Sequence, residues 1–124
     1  MTVKQVYRRA LAIVFESPGG DPDFDQFSPL LLDRLVMEAL PYENQIRRAA
    51  GREELARAPV IEQIDDTELD FDDRITRIAL PYGLAAVLLS DDESRKAESV
   101  MNRNEFVNAL NEAAPATFET FGEG

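Results

Sequence analysis

Four stretches of the chain repeat their apolar residues at helical spacing. In the first, Val3, Val6, Tyr7, Ala10, Leu11 and Val14 recur three or four apart, which predicts an amphipathic helix with Thr2 as its N-cap. The stretch "SPGG" at 17–20 ends it, and the acidic "DPDFDQFSP" that follows reads as a loop. Ser28 followed by Pro29 then offers an N-cap with proline at the first helical position. A second helix is expected from there, with Leu31, Leu32, Leu35, Val36, Ala39, Leu40, Ile46, Ala49 and Ala50 as its apolar positions and Gly51 as its stop. The third stretch is apolar round nearly its whole circumference, through Ile75, Ile78, Ala79, Leu80, Tyr82, Leu84, Ala85, Val87, Leu88 and Leu89. Such a helix belongs in the middle of a bundle. The fourth uses Ala97, Val100, Met101, Phe106 or Val107, Leu110 and Ala114, and stops before Pro115.

Between the second and third helices lies "REELARAPVIEQIDDTELDFDD", which reads as a helical turn, Pro59 and then an extended stretch. From Glu62 to Asp73 it carries carboxylates and no basic residue. Val60, Ile61, Ile64, Leu69 and Phe71 interrupt the acids, so the segment is expected to be pinned to the bundle. A connection this long in a small domain is functional or disordered, and the apolar anchors favour function. The pattern as a whole predicts an all-α fold. It is a small four- to five-helix bundle over residues 1–114, with a long extended loop at 55–71 and a C-terminal arm at 115–124.

The tetrapeptide "ALPY" occurs twice, at 39–42 and at 79–82, each time after an Asp-Arg pair, Asp33-Arg34 and Asp73-Arg74. If Pro41 and Pro81 began helices, Leu40 and Leu80 would be their N-caps, and leucine is among the poorest caps. The better reading is a helix that continues through each proline with a kink. Each ring then opposes the carbonyl four residues back, at Met37 or Arg77, at a cost of about 3 kcal/mol that packing must offset. The two copies read as similar packing devices rather than as repeats.

Composition narrows the chemistry. The chain has 124 residues, is 44% hydrophobic and 30% charged, and carries a formal net charge of −11. That charge weighs against a basic face gripping phosphates. Cysteine and histidine are absent, which removes thiolate nucleophiles and metal sites, disulfides, imidazole acid–base chemistry and the usual serine triad. Asp21, Asp23 and Asp25 alternate as in the opening of an EF-hand loop, but Gln26 stands at the turn glycine and Leu32 at the bidentate glutamate. They read instead as acids before a helix. Asp72-Asp73 and Asp91-Asp92 are adjacent, cannot share a site and read as caps. Gly19-Gly20 has no following Lys-Ser/Thr and makes no phosphate loop. No catalytic residue, metal or cofactor is expected. Among thirteen basic residues only Lys4 and Lys96 are lysines. The arginine excess fits either a subunit interface or a compositional bias, and the sequence leaves both open. The N-terminal apolar run is short and broken by Arg8 and Arg9, so synthesis in the cytosol is expected. Phe118 and Phe121, three apart in an acidic tail, suit either a tail folded back on its bundle or an arm docked on another subunit.

Together, "MTVKQVYRRALAIV", "LLDRLVMEALPYENQIRRAAG", "APVIEQIDDTELDFDDRI" and above all "ALPYGLAAVLLSDDES" resemble the head-to-tail connector proteins of tailed bacteriophages with long non-contractile tails. These are also called adaptor or head-completion proteins. The likeness covers roughly residues 2 to 110. It implies an all-α subunit with a long loop, assembled commonly as a dodecameric ring beneath the portal protein, where the ring extends the DNA channel. It implies no enzymatic activity, and a place in the virion at the head–tail junction after synthesis in the host cytoplasm. It implies that portal and a stopper or tail-completion protein are partners, that DNA passes without specific binding, and that no membrane is involved. On this likeness Phe118 and Phe121 are portal-docking anchors, and Val60, Ile61, Glu62, Asp65, Asp66, Glu68 and Asp70 form an inter-subunit or channel loop. An acidic lumen would let DNA slide by repelling its phosphates. Two alternatives remain: a stopper or tail-completion protein at the same junction, or an acidic DNA-mimic inhibitor.

Overall fold

The computed structural model describes residues 1–115. Among these are four α-helices and no strand. They are α1 (Val3–Ile13), α2 (Pro22–Ala49), α3 (Leu80–Leu88) and α4 (Lys96–Ala113). A π-helical turn, Ile75–Ala79, leads directly into α3, and a 3-10 turn, Glu93–Arg95, leads into α4.

The first helix forms as its pattern predicts. Val3, Val6, Tyr7, Ala10, Leu11 and Val14 are all buried. The Thr2 hydroxyl accepts from the Gln5 amide while the Gln5 side chain accepts from the Thr2 amide, closing a capping box. Past its end, Phe15 adopts a left-handed backbone with φ 61°, a position that normally falls to glycine.

The second helix begins earlier than the Ser28-Pro29 signal suggests. Asp21 is the N-cap, its carboxylate accepting from the amides of Asp23 and Phe24, and Pro22 is the first helical residue. "DPDFDQF" is therefore the opening of a 28-residue helix rather than a loop. Tertiary contact explains the extension. Phe24 packs on Val14, Ala85 and Leu89, and the Tyr7 hydroxyl donates to the Asp25 carboxylate. Ser28 and Pro29 end up buried inside the helix. The chain stays helical through Pro41, as expected, and leaves the helix at Gly51, where φ is 73°.

Toward its C-terminus α2 departs from the expected apolar pattern. Leu32, Leu35, Val36 and Ala39 are buried, but Ala49 and Ala50 are exposed, and the row of buried positions continues through Glu43 and Arg47. The core needs polar groups there because the loop backbone arrives at that point.

The third helix is central, as its all-round hydrophobicity predicts: it packs against α1, α2 and α4. Leu80, Leu84, Ala85 and Leu89 are buried. The π turn just before Pro81 is a wider turn, with the Leu80 amide bonding back to the Ile75 carbonyl. Continuous helical winding through 75–88 thus accommodates a residue that has no amide hydrogen. Gly83 marks a close crossing. A Cβ built there would lie 2.7 Å from the Phe106 ring and 3.1 Å from Leu35. The fourth helix crosses α3 in the opposite sense, since the Ser99 hydroxyl donates to the Ala86 carbonyl while Phe106 packs at Gly83. Phe106, Leu110 and Ala114 are buried as expected, and Ala113 joins them, but Ala97 is exposed and Val100 and Met101 are 60% and 66% exposed. The inward positions of that first turn belong to Ser99.

The chain between α2 and the π turn has no helical turn at 52–58. It is an extended strap over the bundle. Ile61, Leu69 and Phe71 are buried beneath it. No helix among the described residues is long and apolar enough to cross a membrane.

Candidate functional site

The strap from Gly51 to Arg74 is fastened at four places, all by polar groups. Asn44 grips Leu55 by both ends of its amide, donating to the carbonyl at 3.0 Å and accepting from the amide at 2.8 Å. The Asp33 carboxylate accepts from the Ile61 amide at 2.7 Å. The strap then runs beside the N-terminus. Val3 and Lys4 donate to the carbonyls of Thr67 and Asp65, and Leu69 donates to the carbonyl of Met1, around an isolated antiparallel bridge between Thr2 and Glu68.

The fourth fastening is a buried ion pair. Glu43, with its side chain 1% exposed, accepts from Arg47 Nε at 2.7 Å and from the Asp72 amide at 2.7 Å. Arg47 donates onward to the Asp70 carbonyl and carboxylate, at 2.7 and 3.1 Å, and to the Glu53 carbonyl. Burial opposes the Arg47 charge, but hydrogen bonds to Glu43 and Asp70 outweigh it and raise its pKa above the ordinary arginine value. A pair four residues apart on a helix face can interact, and Glu43–Arg47 has that spacing. The signal was present in the sequence; burial of the pair was not.

The residues expected to form a working loop divide into two groups. Ile61 is buried and anchors the strap, whereas Val60 is 70% exposed. Glu62, Asp66, Glu68 and Asp70 are exposed and Asp65 is half-buried. Several of these acids have partners within the chain: Glu68 pairs with the N-terminal ammonium at 3.0 Å, Asp66 with Lys4 at 3.7 Å, and Asp70 with Arg47. Hydrogen bonds from Thr67 hold the Asp65 carboxyl below the usual carboxylate range. The strap thus presents a row of carboxylates on a firmly held backbone, with the exposed Val60 beside them. Phe118 and Phe121, the expected docking anchors, lie outside the described residues.

A second feature is apolar. Phe27 and Leu30, 49% and 69% exposed, join Phe24, Leu31, Val87 and Leu88 in a groove of about 430 Å³ between the start of α2 and the end of α3. Asp21, Asp23 and Asp91 rim it. Met37 continues the exposed side of α2, seven residues beyond Leu30, and Phe15 is 89% exposed. Periodicity had placed Val100 and Met101 among the apolar positions of the fourth helix and left Phe27 and Leu30 unassigned, because spacing alone does not reveal which residues the neighbouring helices cover.

Among the described residues no three His, Cys, Asp or Glu side chains converge as metal ligands. Asp21 is occupied as a cap, and Asp25 takes the Tyr7 proton donor. Burial and the neighbouring Asp25 push the Tyr7 phenol well above its ordinary value, so it stays a neutral donor. No protein family, curated protein or solved structure matches this chain.

Proposed function

We propose that this chain is a structural, non-enzymatic subunit of the head–tail junction of a long-tailed bacteriophage. It assembles there as a ring, between the portal and a stopper or tail-completion protein, in the mature virion. The carrying observation is the amount of large apolar surface left uncovered on a bundle whose core is already closed. Phe15, Leu30, Met37, Val60, Val100 and Met101 are each at least 60% exposed. Leu30 belongs with Phe27 to the contiguous acid-rimmed apolar groove at the start of α2, and an apolar patch with a polar rim is the kind of surface another protein completes. The resemblance of "ALPYGLAAVLLSDDES" to the connector proteins names which assembly.

In this reading the strap carboxylates Glu62, Asp66, Glu68 and Asp70 face the channel or a neighbouring subunit, where they repel DNA phosphates and let the duplex slide. Pro41 and Pro81 bend α2 and the central helix to set the subunit's wedge. Phe118 and Phe121 dock on the portal. The test is electron microscopy and mass measurement of the chain purified alone and after co-expression with the portal protein of its virus. Rings of this chain on the portal are expected. A strict monomer that ignores the portal and instead occupies the cleft of a DNA-handling enzyme would replace this reading with the DNA-mimic one.

A further inference from the structure

At the far end of the helical run 75–88 from the apolar groove sits a patch of opposite charge. Arg9 of α1 and Arg74 and Arg77 of the π turn and its approach line a shallow depression of about 220 Å³ together with Ile78, which is 45% exposed, and Asp73 is the one acid among them. Three arginines round an exposed isoleucine are unexpected on a chain of net charge −11. Arg74 is paired, with Asp72 at 3.2 Å. Arg9 and Arg77 form no ion pair among the described residues. The groove is the reverse: Phe27 and Leu30 project from it, Asp21, Asp23 and Asp91 rim it, and no basic side chain lines it. From Ile78 to Leu88 the helix rises by roughly 15 Å at about 1.5 Å per residue, so the two surfaces are separate.

We infer that the acid-rimmed groove of one copy, with its projecting Phe27 and Leu30, packs against the Arg9/Arg77/Ile78 patch of the next. The exposed isoleucine meets Phe27 and Leu30, and the arginines meet Asp23 and Asp91 at the rim. Both surfaces are apolar at the centre and charged at the edge, which is the anatomy of a protein interface. Arginine is suited to the contact because its planar fork binds carboxylates two bonds at a time. Because the surfaces differ, the contact is heterologous. Each copy retains a free groove and a free patch, so the contact propagates and closes into a ring when the rotation per subunit allows. This deepens the ring reading above and rests on it, by assigning which faces meet. The chain's own 116–124 segment is a poorer occupant of the groove, because its only charged side chains, Glu119 and Glu123, have the same sign as the Asp rim.

The contact is tested by charge reversal in the full-length chain, with sedimentation velocity and mass photometry as readouts and circular dichroism as the check on folding. Asp23→Arg with Asp91→Arg reverses the groove, and Arg9→Glu with Arg77→Glu reverses the patch. All four residues are exposed, so folding is preserved. Each variant alone associates at least about tenfold more weakly than wild type, the scale expected of two rim charge pairs made repulsive. An equimolar mixture of the two recovers wild-type association, because each groove again meets a patch of opposite sign. Leu30→Asp weakens association and is not rescued. Phe118→Ser with Phe121→Ser leaves self-association unchanged; if it abolishes it, the tail and not the patch makes the contact, and the inference falls. Wild-type association by both charge variants, or failure of the mixture to recover, overturns this interface while leaving ring formation standing. A wild-type chain that stays monomeric with and without portal overturns both.

Discussion

Replacing Glu43 with glutamine should show how much of the protein's stability runs through one buried carboxylate. Glu43 takes two hydrogen bonds of 2.7 Å, from Arg47 Nε and from the Asp72 amide, at a side chain 1% exposed. Water cannot substitute there. The glutamine oxygen satisfies one donor, but its NH2 then confronts the other. Arg47, 7% exposed, is left with Asp70, whose side chain is 82% exposed and screened. Removing one partner of a buried ion pair costs about 3–5 kcal/mol, and the retained hydrogen bond returns about 1 kcal/mol. The expected loss is about 2–4 kcal/mol, out of a total of about 5–15 kcal/mol for a domain of this kind. Urea unfolding followed by circular dichroism measures the loss. Hydrogen exchange locates it: the Asp72 amide should lose protection far more than the Ile61 amide, which is held by Asp33. Glu43→Met with Arg47→Met leaves no orphaned charge but strips the Asp72 amide and the Asp70 and Glu53 carbonyls of their partners, so it too should be less stable than wild type. A loss under about 1 kcal/mol for Glu43→Gln, with Asp72 as protected as before, would refute the idea that this pair fastens the strap.

Other consequences follow from single residues. The Ser28 hydroxyl is buried without a hydrogen-bond partner among the described residues, so Ser28→Ala should leave stability unchanged or raise it by up to about 1 kcal/mol in the same unfolding assay. Phe15 holds a left-handed backbone while 89% exposed; Phe15→Gly should raise stability by about 1 kcal/mol, and should weaken binding to a partner if the exposed ring is retained for docking. Asp92, which accepts from Ser94, and Glu98, which accepts from Arg95, have their pKa values lowered by those bonds. Lowered values mean stabilisation that is complete above the ordinary carboxylate pKa and lost as pH falls through the lowered ones. NMR titration should find both below the usual range, and the turn 92–95 should loosen only once they protonate.

The periodic parts of this chain were legible from its sequence, and for a local reason. Helical spacing, caps and glycine stops act over a few residues, so α1 from Thr2 onward, the central place of the 75–89 stretch and the helix running through Pro41 needed no knowledge of the rest of the molecule. The apolar residues Val60, Ile61, Ile64, Leu69 and Phe71 likewise predicted a pinned connection, and it is pinned through Ile61, Leu69 and Phe71, with Ile64 half-buried and Val60 exposed. Tertiary structure decided what depends on neighbours distant in sequence. Phe24 and Asp25 found Leu89 and Tyr7, and so a stretch that reads as an acidic loop became the first turns of α2. Ser99 took the inward position at α4 and turned Val100 and Met101 outward. Glu43 and Arg47, polar by every local measure, were drawn inside because the strap's amides and carbonyls arrive there and must be satisfied away from water. The groove and the arginine patch belong to this second kind. Their residues come from α2 with α3 and from α1 with the π turn, and only the packing of the bundle gathers them.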